Sequence, residues 1–475
     1  MKRVFRGSAL ASATLAALAL AGCASINMDQ AISDTNNGYS AFTQGQLALS
    51  RNDQQRQASA RLSSELLAKP LGMEGAVQLA LANSPALQAL LAQSWADMSL
   101  AHQSGRIANP IFSFERVRSG DALELSRLLS FGLLDLLTLP RRMSIASSQV
   151  AQARVQLSAN VVEQVTQTRQ AWVRAVAAQQ LLDYAQQVHT STQAGAELAR
   201  RMQQVGNFNK LQRARQQVFY ADAIAQLAAS AHAATAAREE LTRRLGLTDE
   251  QQALLVLPER LPDLPTTPRE SQTVSSTASA QRLDVQMARS QLDAAGQSQG
   301  LNLLTSLVDV ELGIIGNTTF ENNAEGHRTT AKGYELGIRL PIFDWGTAKR
   351  DAMNAQSLAA ARRYETTVRG ASSQLRESYS AYRTAYDVAR HYRDEIVPLR
   401  KTMADENVLR YNGMLIGVFE LLADNRSQIA SVMAAINAYQ QFWLADAALS
   451  ASMTGKPTGV AMSPAPAAGG EAPSH

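Results

Sequence analysis

Phe131–Thr138 (FGLLDLLT) matches Leu340–Thr347 (LPIFDWGT) at an offset of 209 residues, and the same offset places Arg141 on Arg350. Before each stretch, apolar and polar residues alternate as they do in a strand, and after it the spacing becomes helical. The chain therefore contains a strand–helix unit that is repeated once. Because the helices that follow are unusually long, the repeat favours a tube over an enzyme built around a pocket.

The amino end has the features of a secretory signal peptide. Lys2, Arg3 and Arg6 form a positive segment, and Ser8–Ala21 is an apolar run without charge. This run is too short to cross a bilayer comfortably but suits a signal peptide. We therefore expect residues 1–22 to be removed from the mature protein.

Cys23 is the only cysteine of the chain and ends the sequence Leu20-Ala21-Gly22-Cys23. This sequence resembles the lipobox of bacterial lipoproteins, which implies that Cys23 becomes the amino terminus and carries lipid on its sulfur and its amine. Ala24 follows in place of an inner-membrane retention aspartate, so the resemblance also implies sorting to the outer membrane. The alternative is an ordinary signal peptide with an incidental cysteine. A single cysteine excludes an intrachain disulfide and a metal site with several thiolates.

The composition indicates long, water-exposed helices rather than one globular core. Only 5% of the residues are aromatic, and the helical stretches are rich in Ala, Gln, Ser and Arg. Beyond the signal peptide, no window has the ~18 consecutive apolar residues that a transmembrane helix needs. The formal charge of +4 includes three cationic residues of the signal peptide, which leaves about +1 for the mature chain. This small charge argues against nucleic acid as a partner.

The order of these patterns predicts six segments. They are a signal peptide (1–22), an irregular lipidated lead-in (23–70), a first repeat (71–256), a Pro-rich linker (257–277), a second repeat (278–455) and a disordered tail (456–475).

Each repeat is predicted to contain a helix, a β-hairpin, a very long helix and a returning helix. The helices are expected at Met73–Gly105 (interrupted at Asn83-Ser84-Pro85), Arg141–Gln204 and Leu211–Leu245, and again at Ala278–Leu304, Lys349–Tyr411 and Val418–Met453. Each of the two longest would extend over roughly 95 Å at 1.5 Å per residue.

Helices of this length need a coiled-coil-like partner to cover their apolar stripe. The candidate stripes are Val161, Val165, Trp172, Val176 and Leu182 in the first repeat, and Leu375, Tyr379, Tyr382, Tyr386 and Val388 in the second.

The predicted hairpins are amphipathic. In the second one, Tyr334, Leu336, Ile338 and Leu340 alternate with Glu335, Gly337 and Arg339. A period of two places the two sets on opposite faces of the strand. Gly120-Asp121 is expected to form the turn of the first hairpin, and a polar loop is expected at Asn317–Gly333 in the second.

This doubled order resembles that of the TolC-like outer-membrane efflux proteins. The residues that carry the resemblance are Leu340–Gly346 at the strand exit, and Arg410-Tyr411-Asn412 leading to Val418–Leu422 (VFELL). The resemblance implies a homotrimer in which four strands per subunit complete a 12-stranded transmembrane β-barrel, and long helices form a periplasmic α-barrel. It also implies a periplasmic adaptor and an inner-membrane pump as partners. Phe343 and Trp345 then suit either the interfacial belt of the membrane or packing between barrel and helices.

The resemblance assigns roles to the two helix reversals. Val205, Gly206 and Asn207, with Asn412, Gly413 and Met414, would be the periplasmic tips that dock on the adaptor; glycine suits such reversals because they commonly need a positive φ. Glu420 falls where relatives carry an acidic residue that rings the channel entrance. Where relatives often have a second aspartate, this chain has Ala423, with Asp424 one residue further. The alternative for Glu420 is a solvated charge on a helix face.

No enzyme motif is present. The six histidines (His102, His189, His232, His327, His391 and His475) are scattered, and no nucleotide-binding or nucleophile motif follows a strand. We therefore expect no cofactor and no metal site. The remaining alternative is a lipoprotein scaffold of periplasmic coiled coil without a channel, which would not need amphipathic hairpins at matching places. Within the channel interpretation, the family serves drugs, metal ions and secreted proteins, and family frequency favours small molecules or metal ions.

Overall fold

A computed structural model describes residues 26–120, 122–271, 274, 282–307, 309–321, 328–339 and 342–457. The chain divides into two compact units. The strand unit contains Ala92–Leu157 and Val285–Arg369, and the helical unit contains Asp29–Leu91, Ser158–Asp284 and the residues from Gly370 onward. Each unit draws on both halves of the chain. The signal peptide, Cys23 and nearly all of the predicted tail lie outside the described residues, and the proposed segment boundaries stay a prediction.

The predicted fold, mainly helical with four strands, is confirmed. In chain order the first half contains α1 (Met28–Gly38), α2 (Ser40–Thr43), α3 (Asp53–Leu67), α4 (Met73–Asn83), α5 (Pro85–Gln103), β1 (Ile111–Ser119), β2 (Ala122–Gly132), α6 (Leu133–Gln204), α7 (Lys210–Leu245) and α8 (Asp249–Leu254). The second half contains α9 (Leu283–Leu307), β3 (Asp309–Glu321), β4 (Arg328–Arg339), α10 (Thr347–His391), a π-helical turn (Tyr392–Ile396), α11 (Val397–Asn412) and α12 (Val418–Met453).

The four strands form one antiparallel sheet in the order β1-β2-β3-β4. The predicted polar loop Asn317–Gly333 is wrong, because β3 continues to Glu321 and β4 already begins at Arg328. Threonine and phenylalanine suit strands, and Thr318 and Phe320 pair with Leu125 and Leu123 of β2. The hairpin is therefore longer than its polar composition indicated.

The two matching stretches differ in structure although both precede a long helix. In the first, α6 begins at Leu133, eight residues before the predicted start, and contains Pro140. In the second, Ile342–Trp345 is irregular and α10 begins at Thr347, while Leu340 and Pro341 lie outside the described residues. There Gly346 has φ +70° and donates its N–H to Asp344 Oδ1 at 2.8 Å, which is a turn conformation that favours glycine.

The lead-in is helical rather than irregular. Three helices, α1 to α3, lie between Met28 and Leu67, and residues 44–52 between α2 and α3 are not helical. Polar contacts attach the segment to the rest of the helical unit. Thr35 Oγ1 lies 3.1 Å from Ser158 Oγ, and Gln88 donates from Nε2 to the carbonyl of Ala48 at 3.0 Å. Met28, Ala31 and Ile32 of α1 are buried at helical spacing, so apolar stripes as well as polar contacts stabilise these helices. The mostly polar composition of the segment concealed them in the sequence.

The core of the helical unit is formed by the predicted apolar stripes. Val161, Val165, Trp172 and Val176 are buried, and Trp172 donates from its indole nitrogen to the carbonyl of Leu71 at 2.7 Å. In the second half the prediction is correct for Tyr382 and Tyr386, which pack with Phe442, but wrong for Val388, which is 41% exposed.

The tyrosine stripe of α10 also fixes the Pro-rich linker. Tyr386 donates from its hydroxyl toward the carbonyls of Pro265 and Thr266 at 3.1 and 3.2 Å. The backbone N–H of Arg269 donates to the Tyr382 hydroxyl at 3.1 Å. The linker is therefore held against this helix by hydrogen bonds.

Candidate functional site

One face of the sheet is largely apolar and exposed in the single chain. Since alternate residues point to opposite faces and the ladders contain no interruption, one face collects side chains from all four strands. We call it the apolar face, and its apolar members are Phe112, Phe114, Leu123, Leu125, Leu129, Phe131, Val310, Leu312, Ile314, Phe320, Tyr334, Leu336 and Ile338. Tyr334 is 85% exposed and Phe112 is 64% exposed.

The opposite, polar face carries Glu115, Glu124, Ser126, Asn317 and Glu335. Ser126 donates to Asn317 Oδ1 at 2.8 Å across β2 and β3. β1 and β4 are the outer strands of this sheet, so each presents an edge to be paired. An amphipathic sheet with two edges is the shape of a barrel segment.

The aromatic residues beyond β4 are exposed in the protomer. Phe343 is 97% exposed and Trp345 is 67% exposed, and both precede α10. Neither is therefore packed inside the described protomer. Such residues are typical of the interface between membrane and water.

The first helix reversal ends α6 in a Schellman motif. Gly206 has φ +80°, and its N–H donates to the carbonyl of Gln203 at 3.0 Å while the N–H of Asn207 donates to Met202 at 2.9 Å. This pair of bonds satisfies carbonyls that the helix end leaves free. Asn209 then forms a capping box with Gln212 at the start of α7.

The second reversal has the same motif without its usual glycine. The N–H of Met414 donates to Tyr411 at 3.0 Å and that of Leu415 to Arg410 at 2.8 Å. Gly413 has an ordinary φ of −78°, whereas Met414 adopts φ +58°. The expectation that glycine supplies the positive φ is correct for Gly206 and wrong for Gly413. No side-chain cap is present at Gly417, where α12 begins.

Both predicted tips expose apolar side chains. Val205 is 72% exposed, Met414 is 93% exposed, and Leu415, which the prediction did not include, is 74% exposed.

The two predicted entrance residues lie on α12 one turn apart. Glu420 is exposed in the first turn. Asp424 is half-buried, and its Oδ2 atom is buried without a hydrogen-bond partner in the described part of the chain. A carboxylate oxygen in this position is costly unless a partner is supplied. The spacing places both acids on one side of the helix.

An arginine near these acids was not predicted. The Arg426 guanidinium lies 4.0 Å from the ring centroid of Phe219 on α7, and its Nη2 donates to the carbonyl of Arg215 at 3.3 Å. Burial lowers the pKa of Arg426, and the charge of Asp222 opposes that shift. This contact joins the two returning helices, and nothing in the spacing of either helix indicated it.

The helical unit also encloses a cavity of about 450 Å³ lined by charged and aromatic residues. Asp446 forms an ion pair with Arg269 at 2.9 Å. Burial raises the pKa of Asp446, against the opposing charges of Arg269 and Arg169. Arg169 donates from Nη2 to the carbonyl of Ala41 at 2.6 Å, so this cavity is organised by internal pairs.

The described residues lack two kinds of feature. No helix among them is both long enough and apolar enough to cross a membrane. They also include no group of three or more His, Cys, Asp or Glu side chains that would hold a metal ion.

One family model matches part of the chain. The model of the family described as Outer membrane efflux protein matches residues 274–446, nearly all of which lie in the second predicted repeat. Over these residues the predicted resemblance to the outer-membrane efflux proteins is confirmed. No curated protein sequence matches the chain.

Solved structures of outer-membrane proteins have the same fold. The CmeC outer membrane channel of Campylobacter jejuni is 15% identical with a TM-score of 0.67, over 81% of this chain and 86% of that one. The outer membrane protein VceC of Vibrio cholerae is 16% identical with a TM-score of 0.65, over 80% and 96%. The MtrE outer membrane channel of Neisseria gonorrhoeae, in its open state, is 18% identical with a TM-score of 0.62, over 81% and 89%.

Proposed function

We propose that the protein is the outer-membrane exit duct of a tripartite efflux system. The observation that carries this proposal is the amphipathic four-stranded sheet with an edge at β1 and at β4. Unpaired strand edges are not tolerated in lipid, so the sheet needs other copies to close it. Three copies of four strands make the 12-stranded barrel expected of a homotrimer in the outer membrane.

The apolar face then contacts lipid and the polar face lines a water-filled lumen. Glu115, Glu124 and Glu335 would point into that lumen. The long helices α6 and α10 would continue the duct as a periplasmic α-barrel. The protein would catalyse no reaction, need no cofactor and bind no nucleic acid, and it would conduct small molecules or metal ions from the periplasm or cytoplasm to the exterior.

The helix reversals are the docking surface for a periplasmic adaptor that is bound to an inner-membrane pump. Val205, Gly206 and Asn207, with Asn412, Gly413 and Met414, form the proposed surface. Its exposed apolar side chains, among them Val205 and Met414, support the assignment, because exposed apolar groups at a tip are typical of a protein contact. Lipid on Cys23 would anchor the same protein to the outer membrane.

Glu420 and Asp424 form the proposed entrance ring. The exposure of Glu420 on α12 supports a role at the entrance, because its carboxylate is accessible to water. Three copies of Glu420 around an axis would favour cations. Opening would require the helix pair of the second half, α11 and α12, to move outward with the help of the adaptor. The reversal between these helices has no side-chain cap at Gly417, which makes it less rigid than the first reversal.

Single-channel conductance in a planar bilayer tests this function. We expect discrete, cation-selective steps from the purified acylated protein, and reduced selectivity from Glu420→Gln. Glu65→Gln, an exposed acid on α3, is the matched control and should leave selectivity unchanged.

Each other outcome removes a different part of the proposal. If Glu420→Gln leaves the conductance unchanged, the proposed duct is retained and the proposed entrance ring is rejected. A protein that is monomeric by mass and gives no conductance contradicts the duct and favours the coiled-coil scaffold.

A further inference from the structure

The charged residues of the sheet are sorted by sign between its two faces. The four acidic residues whose side chains the structure describes point to the polar face: Glu115, Glu124, Glu311 and Glu335. Of the six cationic residues, only Arg339 shares that face. The other five point to the apolar face, and we call them the basic band: Arg116, Arg118, Arg127, Arg328 and Lys332.

The basic band occupies only the hairpin end of the apolar face. The ladder register aligns three rows there, Arg118–Leu123–Phe320–Arg328, Arg116–Leu125–Thr318–Thr330 and Phe114–Arg127–Gly316–Lys332. The rows nearer the helices carry no cation on this face, and they include Phe112–Leu129–Ile314–Tyr334 and Phe131–Leu312–Leu336. The face therefore changes from apolar to basic along the strands.

Three properties distinguish the basic band from ordinary solvated charge. Its members are all exposed, and the described strands place no acidic side chain beside them on that face. Every row also contains an apolar side chain, as Leu123 and Phe320 lie between Arg118 and Arg328. The Arg328 guanidinium also lies 5.6 Å from the Phe320 ring centroid. Mixed apolar and basic surface of this kind suits the boundary between lipid tails and headgroups.

We propose that the basic band binds the phosphate groups of phosphorylated glycolipid in the outward-facing leaflet. The inference rests on the proposed function, because it needs the apolar face to contact lipid and the hairpins to face outward. Guanidinium groups form paired hydrogen bonds with phosphate oxygens, and each Lys or Arg at an anionic surface adds to its attraction. Three copies would surround the barrel with this band.

The test is a titration of the detergent-purified trimer with lipid A, read by fluorescence of a label on the protein. Removing three cations in Arg116→Gln/Arg118→Gln/Lys332→Gln should weaken binding by roughly fivefold per cation at low salt. Raising the salt from about 0.05 to about 0.3 M should narrow the difference, since salt screens exposed charge. Lipid A without its phosphates should not bind at this site.

The matched control removes three exposed cations of the helical unit, Arg61→Gln/Lys69→Gln/Arg376→Gln, and should bind lipid A as the unaltered protein does. A second variant, Arg116→Lys/Arg118→Lys, keeps the positive charge and should retain most of the lipid A binding. Equal binding by the glutamine variant, or equal binding of the dephosphorylated lipid, would overturn the proposal. If phosphatidylglycerol competes for the site as well as lipid A does, the bound phosphate does not come specifically from a glycolipid, and the proposal is overturned.

The same samples separate this inference from the proposed function. Each is checked for trimeric mass and for conductance in a planar bilayer. If the unaltered protein is trimeric and conducts, but the glutamine substitutions do not change lipid A binding, only the proposed role of the basic band is rejected. An unaltered protein that is neither trimeric nor conductive rejects the duct itself.

Discussion

Gly206 and Met414 occupy the same position in two equivalent helix ends. Both adopt a left-handed backbone, with φ +80° and +58°. The next residue in each case donates its N–H to a carbonyl five residues earlier, at 2.9 and 2.8 Å. Both halves of the chain thus have the same Schellman motif at the proposed tip, although only the first half has glycine at the left-handed position.

Met414→Gly should raise the free energy of unfolding by about 1 kcal/mol, because a side chain in the left-handed region is strained. Gly206→Ala should lower it by a similar amount for the same reason. Urea unfolding of both variants measures these changes. Met414→Gly should also weaken adaptor binding, since it removes an exposed apolar side chain. Stability and adaptor affinity that rise together would contradict its role in docking.

Asn209→Ala should destabilise the start of α7 by about 1 kcal/mol, because it removes the capping box with Gln212. The equivalent residue Gly417 has no side-chain cap, and space is open around its Cβ position. Gly417→Ser should therefore stabilise the start of α12 by a few tenths of a kcal/mol.

Amide hydrogen exchange is the measurement for this asymmetry. The first turn of α12 should exchange faster than the first turn of α7 in the unaltered protein. Gly417→Ser should reduce the difference between these two exchange rates. Equal exchange rates in the first turns of α7 and α12 of the unaltered protein would contradict the prediction that the second reversal is less rigid.

Glu197 gives the end of α6 an acid-sensitive contribution to stability. Its carboxylate accepts hydrogen bonds from Arg200 and Arg201, which lower its pKa to about 2. Because the folded pKa lies below the usual value of about 4.3, this contribution is complete above that value and is lost as pH falls through about 2.

Glu197→Gln should therefore differ from the unaltered protein near neutral pH and approach it toward pH 2. Circular dichroism during acid unfolding measures the difference. Glu65→Gln is the control, and a difference for Glu197→Gln that stays constant at all pH values would be evidence against the pairing.

Tyr386→Phe should lower the free energy of unfolding by about 1–2 kcal/mol, because it removes the donor to the linker carbonyls of Pro265 and Thr266. Tyr379 donates to the carbonyl of Arg269 at 3.1 Å from an exposed site, so Tyr379→Phe should cost less. Thermal or urea unfolding ranks the two variants, and the reverse order would contradict the linker contacts.

Periodicity was sufficient for the strands and the long helices. The alternation around Tyr334 and Leu336 predicted which residues of β4 share the apolar face, and Val418–Met453 has the bounds predicted for it. These signals are strong because one face of each element must be apolar, whatever it contacts.

Features that depend on tertiary context were missed. The lead-in helices lie in a mostly polar segment in which short apolar stripes are easily overlooked. The long helix α6 continues through Pro140, where the sequence indicated a helix start. The positive φ of Met414 at the second reversal was missed for a similar reason, because the sequence Gly-Met does not show which of the two residues adopts it. The basic band became visible only when the ladder register placed cations of three strands on one face.

Closure of the barrel between copies is the central claim, and disulfide trapping tests it most directly. Phe114→Cys on β1 would be combined with Tyr334→Cys, Leu336→Cys or Ile338→Cys on β4, all on the apolar face. Within one chain β2 and β3 separate these strands by about 14 Å, which is too far for a disulfide. The account predicts that at least one pair gives a covalent trimer on oxidation. If none of the cysteine pairs gives a crosslink in protein that is folded in the outer membrane, barrel closure between copies is contradicted.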